Sequence, residues 1–429
     1  MLKALRGTKD ILPQETKLWQ FIEQSARDIF SIYNYKEIRT PVIEEASLFI
    51  RSIGDATDIV QKEMYVFTDR GERTIALRPE ATASIVRAYI ENSLGQDQFI
   101  SKLFYIGPMF RSERPQKGRQ RQFHQLGAEV IGSDNPYVDV EVITLAVKFL
   151  ERLNIKDIEL KINSLGCKKD KADLIEKYRT AVKPYLGSLC SECNSRFKKN
   201  VLRVFDCKNP DCKKIVEKVK SVEVLCPDCK DHFDVVKAKL KENNIAFSVE
   251  KKIVRGLDYY TKTVFEISQK DLGAKDAICA GGRYNDLVKE MGGKDVPAIG
   301  FAFGIERLIM AMKDISVKAK DGLDFFIVTT ADTLFEEAFK LVSNLRDSEL
   351  SKDNAISYEI DFENRPLKSQ MKKAQKQNAR FVILLGEDEI KRNKIIFKNM
   401  TSGEQEEVGY DEKTILDKIQ ALQKEGSLK

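Results

Sequence analysis

Five cations fall between positions 111 and 121: Arg111, Arg114, Lys117, Arg119 and Arg121, with Glu113 and Gly118 among them. Guanidinium forks grip phosphate oxygens two at a time, so such a concentration suits a triphosphate. Phe123, just beyond, offers a face on which a flat base can stack. Taken alone, the same run also fits an exposed basic loop without a ligand. A second group is built from cysteine. Six of the eight form close pairs, Cys190/Cys193, Cys207/Cys212 and Cys226/Cys229. The C-x2-C spacing is that of zinc knuckles, and Cys190, Cys193, Cys226 and Cys229 would make one structural four-thiolate site. Reduced, unliganded thiols are the other reading. Nothing links these cysteines to the basic run, so no catalytic metal is expected from them.

The elements that must position these groups can be read from periodicity. Two apolar-rich strands, Phe99–Ile106 and Phe123–Ile131, flank the basic run, which predicts an antiparallel hairpin with the cations in its loop. Arg78-Pro79-Glu80-Ala81-Thr82 opens a helix striped with Ala83, Val86 and Ile90. Further helices are expected over Gln14–Tyr33, Val138–Leu153 and Ile305–Met312. Strands are expected over Glu37–Pro41, Ile158–Ile162, Thr263–Ile267, Ala277–Ala280 and Ala298–Phe303. This implies an α+β domain on a mostly antiparallel sheet, split by a Cys/Lys-rich insert. From Leu323 the order becomes β-α-β-α-β, a small α/β domain with a parallel core. The expected boundaries are 1–166, 167–250, 251–318 and 323–429.

Length and charge set outer bounds. A chain of 429 residues holds two or three domains. No apolar run approaches the roughly 20 residues that span a bilayer, and Met1–Pro13 lacks the apolar core of a signal peptide. The expectation is a cytoplasmic protein without a membrane partner, in which structural disulfides are out of place. Net charge is only +6, yet Cys167–Lys252 carries 21 Lys and Arg against 13 Asp and Glu. A surplus of that kind in one module points to a polyanion, or to a solvated lysine-rich face. Of the two histidines, His124 alternates away from Phe123 and Gln125, and so reads as a packed residue rather than a catalyst.

The run FYIGPMFRSERPQKGRQRQFHQLGAEVIG (Phe104–Gly132) resembles motif 2 of class II aminoacyl-tRNA synthetases, and the histidyl-tRNA synthetases most closely. GFAFGIERL (Gly300–Leu308) resembles motif 3. Arg39-Thr40-Pro41 with Ile43-Glu44 resembles motif 1, and RGLDYYT (Arg255–Thr261) and AGGRY (Ala280–Tyr284) resemble the two histidine signatures. Three ordered motifs are far more specific than one. The resemblance implies the class II synthetase fold, with an insert over the acceptor end of histidine tRNA, a C-terminal anticodon-binding domain, and a homodimer joined through motif 1.

It also implies ATP with Mg²⁺ and L-histidine as substrates. Arg111 and Arg255 are then the catalytic cations at the α-phosphate, and Arg307 lies toward the γ-phosphate. Glu113, Arg119, Arg121 and Phe123 complete the ATP site. Glu129 and Tyr260 would meet the two imidazole nitrogens, with Tyr259 and Tyr284 lining the pocket and Glu80, Thr82 and Gln125 holding the α-ammonium. No general base is needed, because a carboxylate is already a nucleophile at neutral pH. The alternative is a non-catalytic paralogue that regulates ATP phosphoribosyltransferase. Such paralogues usually lack the anticodon domain and key arginines, whereas this chain keeps Arg111, Arg255 and Arg307.

Overall fold

A computed structural model describes the chain except at residues 1, 56, 97–98, 117, 208, 221, 223, 254–256, 270–271, 273–276, 313–321, 364 and 426–429, and at 206 beyond the backbone. It separates into two compact units, 1–317 and 318–429.

In the first unit, α1 (Pro13–Ile32) leads to the short β1 (Lys36–Glu37), then β2 (Ile43–Glu45), α2 (Ala46–Ile53), β3 (Tyr65–Thr68), β4 (Thr74–Leu77) and α3 (Thr82–Glu91). The long hairpin follows as β5 (Ser101–Phe110) and β6 (Gln122–Ile131), then α4 (Pro136–Arg152) and β7 (Ile158–Ser164). The insert is helical, with α5 (Lys168–Val182), α6 (Ser191–Lys199), α7 (Pro210–Lys218) and α8 (Pro227–Glu242) as its main elements. The chain returns as β8 (Ser248–Val249), β9 (Thr261–Gln269), β10 (Ala277–Arg283), α9 (Leu287–Glu290), β11 (Ala298–Gly304) and α10 (Ile305–Ala311).

Eight of these strands form one sheet, ordered β1-β5-β6-β11-β10-β9-β7-β8, while β2, β4 and β3 form a small second sheet. The ladders from β5 through β7 are antiparallel, as the sequence predicts. Alternation along the central strands divides them between two faces. Leu126, Ala128 and Val130 of β6, with Ile299, Phe301 and Phe303 of β11, join Phe30 of α1 and Phe149 of α4 in the main core. Each large apolar side chain buried there contributes about 1.5–3 kcal/mol. Gln125, Gly127 and Glu129, and opposite them Gly300, Ala302 and Gly304, are left for the other face. The strand expected over Glu37–Pro41 shrinks to two residues. Its second half is bonded to the Arg78 guanidinium, which donates to the carbonyl oxygens of Thr40 at 2.9 Å and Pro41 at 3.4 Å, in place of a ladder.

The insert does not stand apart. Tyr178, Val201, Leu202 and Val204 share one core with Val264, Tyr284 and Ala298 of the catalytic sheet region.

The second unit contains β12 (Phe325–Thr329), α11 (Phe335–Asp347), α12 (Glu349–Asn354), β13 (Tyr358–Ile360), α13 (Leu367–Lys376), β14 (Phe381–Leu385), α14 (Glu387–Lys391), β15 (Lys394–Asn399), β16 (Gln405–Gly409) and α15 (Glu412–Lys424). Its sheet runs β13-β12-β14-β15-β16. The first three strands are parallel, and β12 is buried on both faces, as a central parallel strand must be. The antiparallel β15 and β16 go beyond the expected parallel core.

Candidate active site

On the sheet face left open by β6 and β11 lies a cavity of about 350 Å³. It brings together Glu80, Thr82, Arg111, Glu113, Arg119, Phe123, Gln125, Glu129, Tyr259, Tyr260, Tyr284 and Arg307, all singled out from sequence. Arg121 does not line it: a Cβ added at Gly7 would meet the Arg121 Cγ at 2.8 Å, so this side chain packs over the N-terminal segment. Arg255 and Lys117 lie outside the described residues.

One end of the cavity is cationic. The Arg111 Nε donates to the Pro79 carbonyl at 3.0 Å, and its guanidinium lies 5.2 Å from the centroid of the Phe123 ring. Arg119 pairs with Glu113 at 2.8 Å. Arg307, at the start of α10, donates to the carbonyls of Gly118 and Ala277. Burial lowers its pKa, and the nearby positive charge of Arg119 lowers it further. Gathering like charges around one void is unfavourable without an anion to fill it. Next to this end, Glu306 fixes His124: the His124 backbone N–H donates to it at 2.9 Å, while the imidazole packs edge-on against Trp19. His124 is thus a packed, supporting residue, as its alternation suggests.

The other end centres on Glu129. Thr82 Oγ1 donates to one carboxylate oxygen at 2.8 Å and the Tyr284 hydroxyl to the other at 2.5 Å. Full burial nevertheless raises the Glu129 pKa to about 8, with Glu80 adding to the effect. Glu80 accepts from the free backbone N–H groups of Thr82 and Ala83 at 2.7 and 3.0 Å, so it does hold the start of α3. It still faces the cavity, and burial raises its pKa. Gln125 Oε1 is buried and, among the described residues, has no hydrogen-bond partner. Tyr259 and Tyr260 form a wall with ring centroids 4.8 Å apart.

Several supporting residues were not singled out from sequence. Gly300 must lack a side chain, since a Cβ there would fall 1.6 Å from the Glu129 Oε2. Lys171 of α5 donates to the carbonyls of Asp258 and Tyr260 at 2.5 and 2.9 Å, tying the insert to the tyrosine wall. Burial lowers its pKa. Arg283, inside AGGRY, points away into the protein, where Asp139 takes its Nε at 2.8 Å and also bonds His232 at 3.2 Å. Only its place in the signature hinted at a role for Arg283, and Lys171, one lysine among several on a charged helix, gave no hint at all.

The cysteines correct one expectation. Cys190 and Cys193 gather with Cys207 and Cys212, whereas Cys226 and Cys229 gather with Cys167 and Asp170. A single site from Cys190, Cys193, Cys226 and Cys229 is therefore not what the fold assembles. The start of α6 faces the start of α7, and the start of α8 faces that of α5.

Comparison with known proteins agrees with both units. A family model described as histidyl-tRNA synthetase matches residues 7–180 and 205–308, and one described as anticodon binding domain matches residues 324–422. The histidine–tRNA ligase of Halothermothrix orenii is 48% identical over 410 residues, covering 95% of this chain and 96% of that protein. The histidine–tRNA ligase of Clostridioides difficile is 46% identical over 413 residues, covering 94% and 96%. The crystal structure of apo S. aureus histidyl-tRNA synthetase superimposes with a TM-score of 0.80 at 36% identity, over 97% of this chain and 99% of that one. With identity of this order sustained across nearly its whole length, this chain belongs to the histidyl-tRNA synthetase family.

Proposed function

We infer that the chain activates L-histidine with ATP, giving histidyl-adenylate and pyrophosphate, and then transfers the histidyl group to the terminal adenosine of histidine tRNA. The observation that carries this is the convergence of Arg111 and Arg119 from the motif 2 run with Arg307 from the motif 3 run on the cavity that also holds the Glu129 carboxylate. In the first step a histidine carboxylate oxygen attacks the α-phosphorus and the bond to pyrophosphate breaks. Negative charge builds on the phosphoryl oxygens, and guanidinium groups fixed in advance stabilise it. Arg111, and Arg255 by resemblance, take the α-phosphate, while Arg307 and Arg119 take the pyrophosphate side. The carboxylate oxygens of Glu266 and Glu113 on the cavity wall are hard donors of the kind Mg²⁺ accepts. Bound with ATP, that ion would neutralise phosphate charge.

For the amino acid, Glu129 accepts an imidazole N–H and Tyr260 serves the second nitrogen. Tyr284 and Thr82 hold the Glu129 carboxylate in place. The buried Gln125 oxygen, which has no partner among the described residues, suits an α-ammonium together with Glu80. A pocket paired in this way rejects apolar rivals, which would leave its polar groups unmet. The regulatory alternative is disfavoured by the retained arginines and by the C-terminal unit that matches an anticodon binding domain.

A homodimer in the cytoplasm accompanies this reading. Ile43, Val66 and Phe67 are exposed on the small sheet beside the motif 1 residues, which supports a second copy there. Among the described residues no helix is long and apolar enough to cross a membrane. The deciding experiment is ATP–pyrophosphate exchange followed by aminoacylation of tRNA. Exchange should require histidine, and exchange indifferent to it would reject the reading. Light scattering tests the dimer.

A further inference from the structure

The four long helices of the insert begin in one pattern. Position N3 is Asp170 in α5, Cys193 in α6, Cys212 in α7 and Cys229 in α8, and the N-cap is Cys167, Cys190, Asn209 and Cys226 respectively. An N-cap and an N3 side chain both point back over the free N–H groups of the first turn. The helix starts then meet in pairs. Cys190, Cys193, Cys207 and Cys212 have their sulfurs all within 4.8 Å of one another, and so do the ligand atoms of Cys167, Asp170, Cys226 and Cys229. All these cysteines are free.

The spacing distinguishes a metal from a disulfide. Cys190 and Cys207 sulfurs are 3.9 Å apart, far beyond the roughly 2.05 Å of a disulfide. Four sulfurs about 2.3 Å from a central ion, at tetrahedral angles, would be about 3.8 Å apart. Backbone N–H groups are already aimed at the sulfurs: those of Cys190 and Cys193 donate to Cys212 and Cys190 at 3.2 and 3.4 Å, and that of Cys167 donates to Cys229 at 3.2 Å. Such bonds support the charge of a coordinating thiolate.

We propose that the insert carries two structural zinc sites, one of four thiolates (Cys190, Cys193, Cys207, Cys212) and one of three thiolates and a carboxylate (Cys167, Asp170, Cys226, Cys229). Neither set leaves an open position, which suits a structural ion. Thiolate-rich tetrahedral donors choose zinc over magnesium or calcium, and zinc over ferrous iron. The first site joins α6 to α7 inside the insert. The second joins α5 to α8, the two ends of the insert, where they meet the catalytic sheet. Both are independent of what the cavity binds.

The test is elemental analysis of the full chain purified under reducing conditions, then titration of the metal-free chain with Zn²⁺ and with Co²⁺. About two equivalents of zinc are expected, with the intense sulfur-to-cobalt charge-transfer absorption in the cobalt form. Cys190→Ser with Cys212→Ser should remove about one equivalent, and Cys167→Ser with Cys226→Ser the other. Should those variants fail to fold, Asp170→Cys keeps two equivalents and strengthens the charge-transfer band, because a fourth thiolate replaces the carboxylate. A reduced chain that holds no zinc as purified and takes none up in titration overturns both sites. A single equivalent overturns whichever site its variants show to be missing, and an unchanged cobalt band in Asp170→Cys overturns the second.

Discussion

Gly300 and Glu129 are directly opposed across the β6–β11 ladder, and the Glu129 carboxylate fills the space that a side chain on Gly300 would need. A Cβ would meet Oε2 at 1.6 Å, and the backbone oxygen of Ala128 would hem it in at 2.6 Å. Gly300→Ala should therefore expel the carboxylate from its seat between Thr82 and Tyr284. The expected result is loss of histidine-dependent exchange by at least about 100-fold, with destabilisation of about 1–3 kcal/mol from overpacking. Exchange kinetics with urea unfolding checks it, and wild-type kinetics in this variant would refute the arrangement.

Glu129 also predicts how stability depends on pH. An unfolded Glu ionises near about 4.3, whereas burial raises Glu129 in the fold to about 8. Between these values the folded chain binds the extra proton, so this group's contribution is full in acid and is lost as pH rises through about 8. The loss is at most about 5 kcal/mol. Glu129→Gln carries no such proton. Its stability advantage over the parent should grow from pH 5 to pH 8 in urea unfolding, while its KM for histidine rises. Parallel pH profiles would show that Glu129 is not the group under strain.

Lys171→Met keeps the aliphatic stem but removes the donors to Asp258 and Tyr260. Charged hydrogen bonds are worth about 1.5–3 kcal/mol, so KM for histidine should rise by roughly 10- to 100-fold. The KM for ATP should stay within about twofold. Equal changes in both would mean that the lysine merely supports the fold.

Arg307→Ala should slow ATP–pyrophosphate exchange by about 10²–10³-fold, the loss expected for one oriented charge donor. Arg255→Ala should cost a similar amount. Near-normal exchange in either variant would remove that residue's assigned role.

The basic hairpin was legible because alternation over Phe123–Ile131 separates a core set from a polar set, and the polar set is the one that reaches the cavity. That puts Gln125 and Glu129 on one face, but their roles toward histidine came from the resemblance. Tyr284 rested on resemblance, since its partner Glu129 is remote in sequence and only the sheet order joins them. The cysteine pairs announced themselves through local spacing, but which pair meets which depends on how helix starts face one another, and spacing does not encode that. Lys171 was invisible. It sits among Lys168, Lys169, Asp170 and Asp173, on a helix whose composition reads as solvated, and the Tyr259–Tyr260 loop buries it only in three dimensions. In the second unit, β15 was missed because its apolar signal is short: Ile395 and Phe397 alternate between the cations Lys394 and Lys398 and the half-buried Ile396.

The insert leaves the sheet beyond β7, and the chain returns to flank that same strand, with β8 on one side and β9 on the other. Gly166 and Lys262, at the two ends of the excursion, share a backbone hydrogen bond of 2.7 Å. A detour whose ends already touch can lengthen cheaply, at about 0.6 kcal/mol for each doubling of a flexible loop. Evolution can thus swap or resize this appendage without rethreading the sheet. Any replacement must still cover the apolar face that Tyr178, Leu202 and Val204 now share with Val264 and Ala298, and bring an ammonium to the two peptide carbonyls beneath it, so the appendage is free in size but not in the face it presents.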